Sequence, residues 1–282
     1  MNAQTSMSAQ ISASSRGALW LQALTGQTGM LAEGATTVRV ATASLGVEPA
    51  TFIAVVPDPH NRFPRARQGE VGLDEGWAIA DQVRRVIAEG DSGLRRPIVC
   101  LVDVTSQAYG RREELLGIHL ACAAAADAYA SARLAGHPVI ALLVGKAMSG
   151  AFLAHGYQAN RILALDSPEV MVHAMGKQAA ARVTRRTVSE LEQLGTHFAP
   201  MAYDIHAYAT LGLLHQLIQG VNSDAPDSAD VQRVREALVS AVADARAGSC
   251  DLGVRLSSPA AQRLRAASIE VRRRLREQWD AG

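Results

Sequence analysis

The 282-residue sequence predicts an α/β fold, a mostly parallel sheet flanked by helices with further helices at the C-terminus, on three observations. Residues 97–104 and 138–144 are continuous apolar runs, the composition of strands buried on both faces. Helical patterns lie between and after them, and strands that alternate with helices pair in parallel through crossover connections. Residues 221–282 carry two helical patterns and no strand signal.

In chain order, residues 1–15 are polar and lack the basic start and apolar run of a secretory signal, so a flexible tail is expected there. A domain over 16–220 and a helical extension over 221–282 follow. A first helix is predicted at 18–24, then strands at 37–43 and 51–56, joined through Gly46 and Pro49 as a hairpin. Residues 57–67, with three prolines and three arginines, form a loop. An amphipathic helix over 73–88 carries Trp77, Ile79, Ala80, Val83 and Ile87 on or near one face.

The run 97–104 enters a polar loop over 105–110, and one alanine-rich helix over 113–134 ends at Gly136 and Pro138. The second apolar run leads directly into a short helix over 150–157. A strand at 161–165, a turn at 167–169 and helices at 177–183 and 188–194 complete the domain. Beyond Pro226, helices are expected over 230–247 and 259–279, the last with a packed face of Leu264, Val271 and Leu275 opposite its arginines.

Composition excludes several classes of function. Twenty-eight basic against 27 acidic residues give a net charge of +1, which provides no general attraction for nucleic acid or an anionic membrane. No apolar run reaches the length of a membrane span. Cys100, Cys122 and Cys250 form no C-x-x-C pair, so neither a disulfide framework nor a thiolate zinc site is expected, and a reducing cytoplasm is the natural location. The eight histidines include no pair three or four residues apart, so no metal site is expected.

Chemistry is expected at residues 145–151. Open α/β sheets bind ligands at the carboxyl ends of their strands, where helix starts offer unpaired N–H groups. Gly145, Ala147, Ser149, Gly150 and Ala151 are small enough for a ligand carbonyl to reach the backbone, which suits stabilisation of an enolate or a carboxylate. Tight strand-to-helix packing explains the same residues equally well. Ser106, Gln107 and Ala108 end the preceding strand and offer a second set of donors to the crevice.

Ser149 invites a nucleophile reading, with Asp166 or Asp204 and His206 or His215 downstream. The serine-hydrolase elbow needs glycines where Ala147 and Ala151 stand, which disfavours it. Tyr109, Lys146, His155 and His173 are candidates for proton donor or carboxylate contact, against the alternatives of a structural histidine or a solvent-facing side chain. Arg62, Arg65 and Arg67 suit a phosphate or an acidic protein surface, or simply a solvated loop.

From Pro97 to about Gln219 the chain resembles the crotonase superfamily, and most closely its carboxyltransferase branch as found in γ subunits of biotin-independent malonate decarboxylase. Pro-Ile-Val-Cys-Leu-Val-Asp-Val from Pro97, Gly-Lys-Ala-Met-Ser-Gly-Ala-Phe from Gly145, Asp-Ser-Pro-Glu-Val from Asp166 and Leu-Gly-Leu-Leu from Leu211 carry the resemblance. The glycine-rich stretch 69–76 looks like the entry to a carboxyltransferase helix. The resemblance implies a crotonase-like fold, with Gly150 at the position of the glycine whose N–H meets the thioester oxygen in crotonases; carboxyltransferase relatives have two oxyanion holes, one per half, so Gly150 faces either the enolate or the departing carboxylate. Hydratases of the superfamily have a catalytic glutamate three residues later, where this chain has Leu153, so hydration is not implied.

Decarboxylation needs no such base, because loss of carbon dioxide from a malonyl thioester generates the enolate directly. The resemblance further implies a heterodimer with a homologous β subunit, and a site shared between the two. It implies as substrate a malonyl group on the phosphopantetheine-type prosthetic group of an acyl carrier protein, loaded by a transferase subunit. It implies no biotin and no cofactor bound by this chain. Two alternatives are a biotin-dependent acyl-CoA carboxyltransferase half and a structural partner of a catalytic β chain.

Overall fold

The computed structural model describes residues 15–90, 93 and 95–280. The expected tail therefore lies outside the described residues except for Ser15, whose Oγ accepts from the Ala18 N–H at 3.3 Å and caps α1 (Arg16–Thr25). β1 (Met30–Leu31), β2 (Val38–Leu45) and β3 (Glu48–Val55) form an antiparallel edge, with the β2–β3 turn at Gly46 in the left-handed region. α2 (Leu73–Gly90) crosses to β4 (Ile98–Val104), which pairs in parallel with β3.

α3 (Arg111–Leu115) and α4 (Ile118–Leu134) lead to β5 (Val139–Met148), and α5 (Ser149–Ala154) follows without a loop. β6 (Arg161–Leu165), β7 (Met171–His173), α6 (Lys177–Thr184), α7 (Val188–His197), α8 (Ile205–Thr210) and β8 (Gln216–Ile218) complete the sheet region. α9 (Ser228–Ala247), α10 (Val254–Ser257), α11 (Pro259–Leu264) and α12 (Ala266–Asp280) end the described chain. The sheet runs β1-β2-β3-β4-β5-β6-β8, with β7 on the far end of β5.

β4 and β5 read as unbroken apolar runs because both of their faces are covered; Val99, Leu101, Ile140 and Leu142 are fully buried. One cover is the α2–α4 pair, which crosses closely. A Cβ on Gly76 would lie 2.6 Å from the Ala121 backbone, so glycine facing alanine is what lets the two helices touch. α9 belongs to the same core through Val234, Leu238 and Ala241, although it lies within the expected extension.

Several elements differ from the sequence reading. Trp77 is half exposed, because the buried face of α2 is built from Ala78, Ile79, Val83 and Val86. The helix expected over 113–134 is broken at Gly117, whose φ of 85° belongs to the left-handed region. The helix expected over 259–279 is two, and α12 buries no residue: Val271 and Leu275 are exposed rather than packed. Among the described residues no helix is long and apolar enough to cross a membrane.

The difference that shapes the site is the length of β5, which continues to Met148 rather than ending at Val144. It is carried on by two further partners, since Val104 of β4 pairs with Ala147 beyond a register shift and β7 pairs with residues 146–148. The strand delivers Ser149 and Gly150 directly to the start of α5.

Candidate oxyanion site

The turn from β5 into α5 is sharp. Ser149 adopts φ 55°, a left-handed conformation that costs a non-glycine residue on the order of 1 kcal/mol. Two contacts hold it there: its Oγ donates to the Ala174 carbonyl at 2.7 Å, and the Met148–His173 register of β5 with β7 fixes the preceding residue. The Ser149 hydroxyl is thereby a structural donor, and no histidine accepts from it among the described residues.

Gly150 is partly exposed, and its N–H donates to Oε1 of Gln107 at 2.9 Å. Gly145 faces the other way. It is buried, and a Cβ there would stand 2.2 Å from Oδ1 of Asp103, the atom that accepts from the Lys146 N–H at 3.1 Å. Gly145 therefore makes room for a side chain of β4.

The companion loop is pinned to the segment before α2. The Val71 N–H donates to Ser106 O at 3.0 Å, and the Ala108 N–H donates to Val71 O at 2.8 Å. Ala108 is buried among Phe63, Ala66, Leu73, Ile118 and Ala121, so its N–H is not the open donor expected of it. The Tyr109 N–H and the Ser106 hydroxyl both donate to Gln107 O at 2.9 Å. What the loop contributes to the crevice is the Gln107 side chain.

The glycine-rich segment before α2 is held in turn by Glu75. Its fully buried carboxylate accepts from Gly72 N–H at 2.9 Å, from Asn61 Nδ2 at 2.8 Å and from the Thr37 hydroxyl. Burial raises its pKa while these bonds oppose the shift. Neither Glu75 nor Asp103 was singled out from sequence. The acidic residue three positions after Gly72, at a helix start, was the available signal for Glu75.

The candidate proton donors separate into two kinds. His155 is fully buried, with Nδ1 3.0 Å from the Tyr129 hydroxyl and Nε2 3.1 Å from the Leu101 carbonyl. Burial lowers its pKa to about 4, so the neutral ring donates through Nε2 and accepts at Nδ1. It pins the end of α5 to β4 and α4. His173, next to the Ser149 turn through its pairing with Met148, is half buried and stacks on Tyr203 at 3.9 Å and 13°.

Nδ1 of His173 lies 2.9 Å from Met175 O and 3.2 Å from Met175 N, and burial lowers its pKa. Tyr109 is exposed at the rim and Lys146 is partly exposed on β5. Of the arginines, Arg62 is paired with Asp74 at 2.7 Å through Nε and lies over the Phe63 ring, and Arg67 donates to Asn61 O at 2.9 Å. Arg65 is exposed and lies against Gly110 at the end of the companion loop. Among the described residues, no group of three or more His, Cys, Asp or Glu is placed to hold a metal ion.

The sequence matches the family model "Malonate decarboxylase gamma subunit" over residues 66–279. The chain belongs to the malonate decarboxylase γ-subunit family. It is 36% identical over 188 residues to the malonyl-S-ACP:biotin-protein carboxyltransferase MADD of Malonomonas rubra, an alignment that spans 65% of this chain and 64% of that one. Its fold matches that of a chain of a Pseudomonas malonate decarboxylase, solved as a hetero-tetramer with coenzyme A (57% identity, 94% of this chain and 100% of that one, TM-score 0.89).

A Pseudomonas malonate decarboxylase MdcD–MdcE hetero-dimer contains a chain 56% identical over the same shares, with a TM-score of 0.86. A chain of the transcarboxylase 12S core (21% identity, 76% of this chain and 36% of that one, TM-score 0.56) shares the crotonase-like fold alone.

Proposed function

We propose that this chain works as the γ half of a malonate decarboxylase, closing a shared active site with a β subunit and releasing carbon dioxide from a malonyl thioester. The observation that carries the reading is the Gly150 N–H at the crevice end of β5, in a chain of the γ-subunit family. Breaking the bond between the carboxylate and Cα sends its electron pair toward the thioester carbonyl. Charge gathers on that oxygen, where a fixed N–H stabilises it, and a proton delivered to Cα completes the acetyl thioester. Leu153, half exposed on α5, supplies no carboxylate for hydration.

In this reading His173, which neighbours the Ser149 turn through its pairing with Met148, delivers the proton, and Lys146 and Tyr109 contact the departing carboxylate. The acyl group is carried on the phosphopantetheine-type arm of an acyl carrier protein, with Arg65 on the approach, and a transferase subunit loads that carrier. The chain itself binds no cofactor, and the reaction takes place in the cytoplasm without biotin. The test is to purify the chain with its β subunit and follow conversion of a malonyl thioester to the acetyl thioester with avidin present. Absence of conversion would reject the reading.

A second reading is favoured by one observation, the biotin-protein carboxyltransferase name of the Malonomonas relative. There the carboxyl group passes to biotin instead of leaving as carbon dioxide. Turnover that requires a biotinylated acceptor, and stops with avidin, identifies it.

A further inference from the structure

We propose that the Gln107 carboxamide is a built-in stand-in for the substrate carbonyl, which keeps the Gly150 N–H occupied against a neutral thioester and gives it up to the enolate oxygen. The inference rests on the reading of Gly150 as the thioester-oxygen donor. Three observations carry it.

First, a carbonyl-type oxygen already lies 2.9 Å from the Gly150 N–H, where that reading places the thioester oxygen. Second, the glycine serves this contact. Gly150 is absent from the residues with positive φ, so its backbone conformation does not demand glycine, yet a Cβ would stand 3.2 Å from both Cδ and Oε1 of Gln107. The missing side chain leaves the space that the carboxamide fills.

Third, the carboxamide is held by fewer hydrogen bonds than the backbone around it. Residues 106–109 are bonded on both sides of Gln107 to Val71 and to one another. Among the described residues the bond to Gly150 is the one hydrogen bond that holds the side chain.

The energetics follow from charge. Exchanging a carboxamide oxygen for a neutral thioester oxygen trades one ordinary hydrogen bond for another, with little net gain. An enolate oxygen makes a charge-assisted bond about twice as strong and displaces the carboxamide. The carboxamide thereby weakens binding of a neutral thioester, while the stronger bond to the enolate oxygen outweighs the cost of displacing it.

The test uses the complete complex with the β subunit. Gln107→Ala should lower KM about three- to tenfold and raise kcat/KM by a similar factor, because the variant no longer has to break the carboxamide bond. Gln107→Asn, which keeps a carboxamide too short to reach, should behave alike and serves if alanine loosens the loop. Binding gives an independent readout. The variants should bind S-acetyl-coenzyme A about three- to tenfold more tightly than the parent does, with unchanged affinity for S-ethyl-coenzyme A, which has no carbonyl.

A fall of a hundredfold or more in kcat/KM would overturn the proposal, because Gln107 would then be a donor to the transition state. Equal affinity of parent and variants for the acetyl compound would also overturn it. The ¹⁵N-labelled Gly150 amide separates the two layers of the argument. If S-acetyl-coenzyme A shifts that resonance in parent and variant alike with equal affinity, the stand-in role alone fails. If it shifts it in neither, the reading of Gly150 as thioester donor fails as well.

Discussion

Asp103 reaches across from β4 to accept the Lys146 N–H at 3.1 Å, through space that exists because residue 145 is glycine. The contact lies where the β4–β5 register shifts between Val102 and Val104, so a side-chain oxygen meets an amide at the break in the regular ladder. Downstream of it β5 runs straight to the Ser149 turn. The position of Gly150 thus depends on a contact five residues earlier in the strand.

Gly145→Ala should accordingly be destabilising although the added group is one methyl. Its Cβ would stand 2.2 Å from Asp103 Oδ1 in a buried setting, so the strand or the carboxylate has to shift, at a cost of about 1–3 kcal/mol. Urea unfolding of the purified complex measures this. An unchanged midpoint would show that the Asp103 contact is dispensable.

Ser149→Ala separates a nucleophile from a turn residue. The substitution keeps a side chain at φ 55° and removes the bond to Ala174 O, so stability should fall by about 1 kcal/mol while decarboxylation stays within about fivefold. Ser149→Gly should regain part of that stability, because glycine enters the left-handed region freely. Loss of activity by a thousandfold or more in the alanine variant, with the fold intact, would restore the nucleophile reading.

How much of this was legible in the sequence depends on the range of the determining contact. β4 and β5 could be read directly, because covering both faces of a strand leaves an unbroken apolar run. Gly150 could be placed at a strand-to-helix turn because small residues cluster there. What Gly145 faces could not be read, since Asp103 is brought opposite it by parallel pairing alone. The Ala108 N–H looked available because its partner Val71 lies on a separate segment.

His155 illustrates the same limit, since a histidine five residues after Gly150 reads alike whether it opens to the crevice or is buried in the core. The packing of α4 against α5 decides, by setting Tyr129 at its Nδ1. The unburied face of α12 was not foreseeable either, because its alternation of leucine, valine and arginine is that of a packed helix.

Gly150→Pro removes the proposed N–H donor and should lower the decarboxylation rate about 10²–10³-fold if the fold survives, as loss of an oxyanion donor does elsewhere. Circular dichroism and the melting temperature of the complex check the fold. A normal rate would move the chemistry away from this turn.

His155 should make stability depend on pH. Its pKa is held at about 4 in the folded chain, by burial, against an ordinary value near 6.5, so between those two values the unfolded chain binds the extra proton. Stability then rises with pH across this window: the contribution is fully present above about pH 6.5 and is lost as pH falls toward 4. For a fully buried ring the difference amounts to a few kcal/mol, enough to matter to a marginally stable subunit. His155→Gln keeps a polar side chain that does not titrate, at the cost of poorer geometry to Tyr129 and Leu101. Urea unfolding at pH 7.5, 6.0 and 5.0 should therefore show the variant less stable than the parent at pH 7.5 but with a shallower loss on acidification. Equal pH slopes for the two proteins would mean that His155 reaches its protonated state without disturbing the α4–α5 contact, and the pinning of α5 would have to rest on other residues.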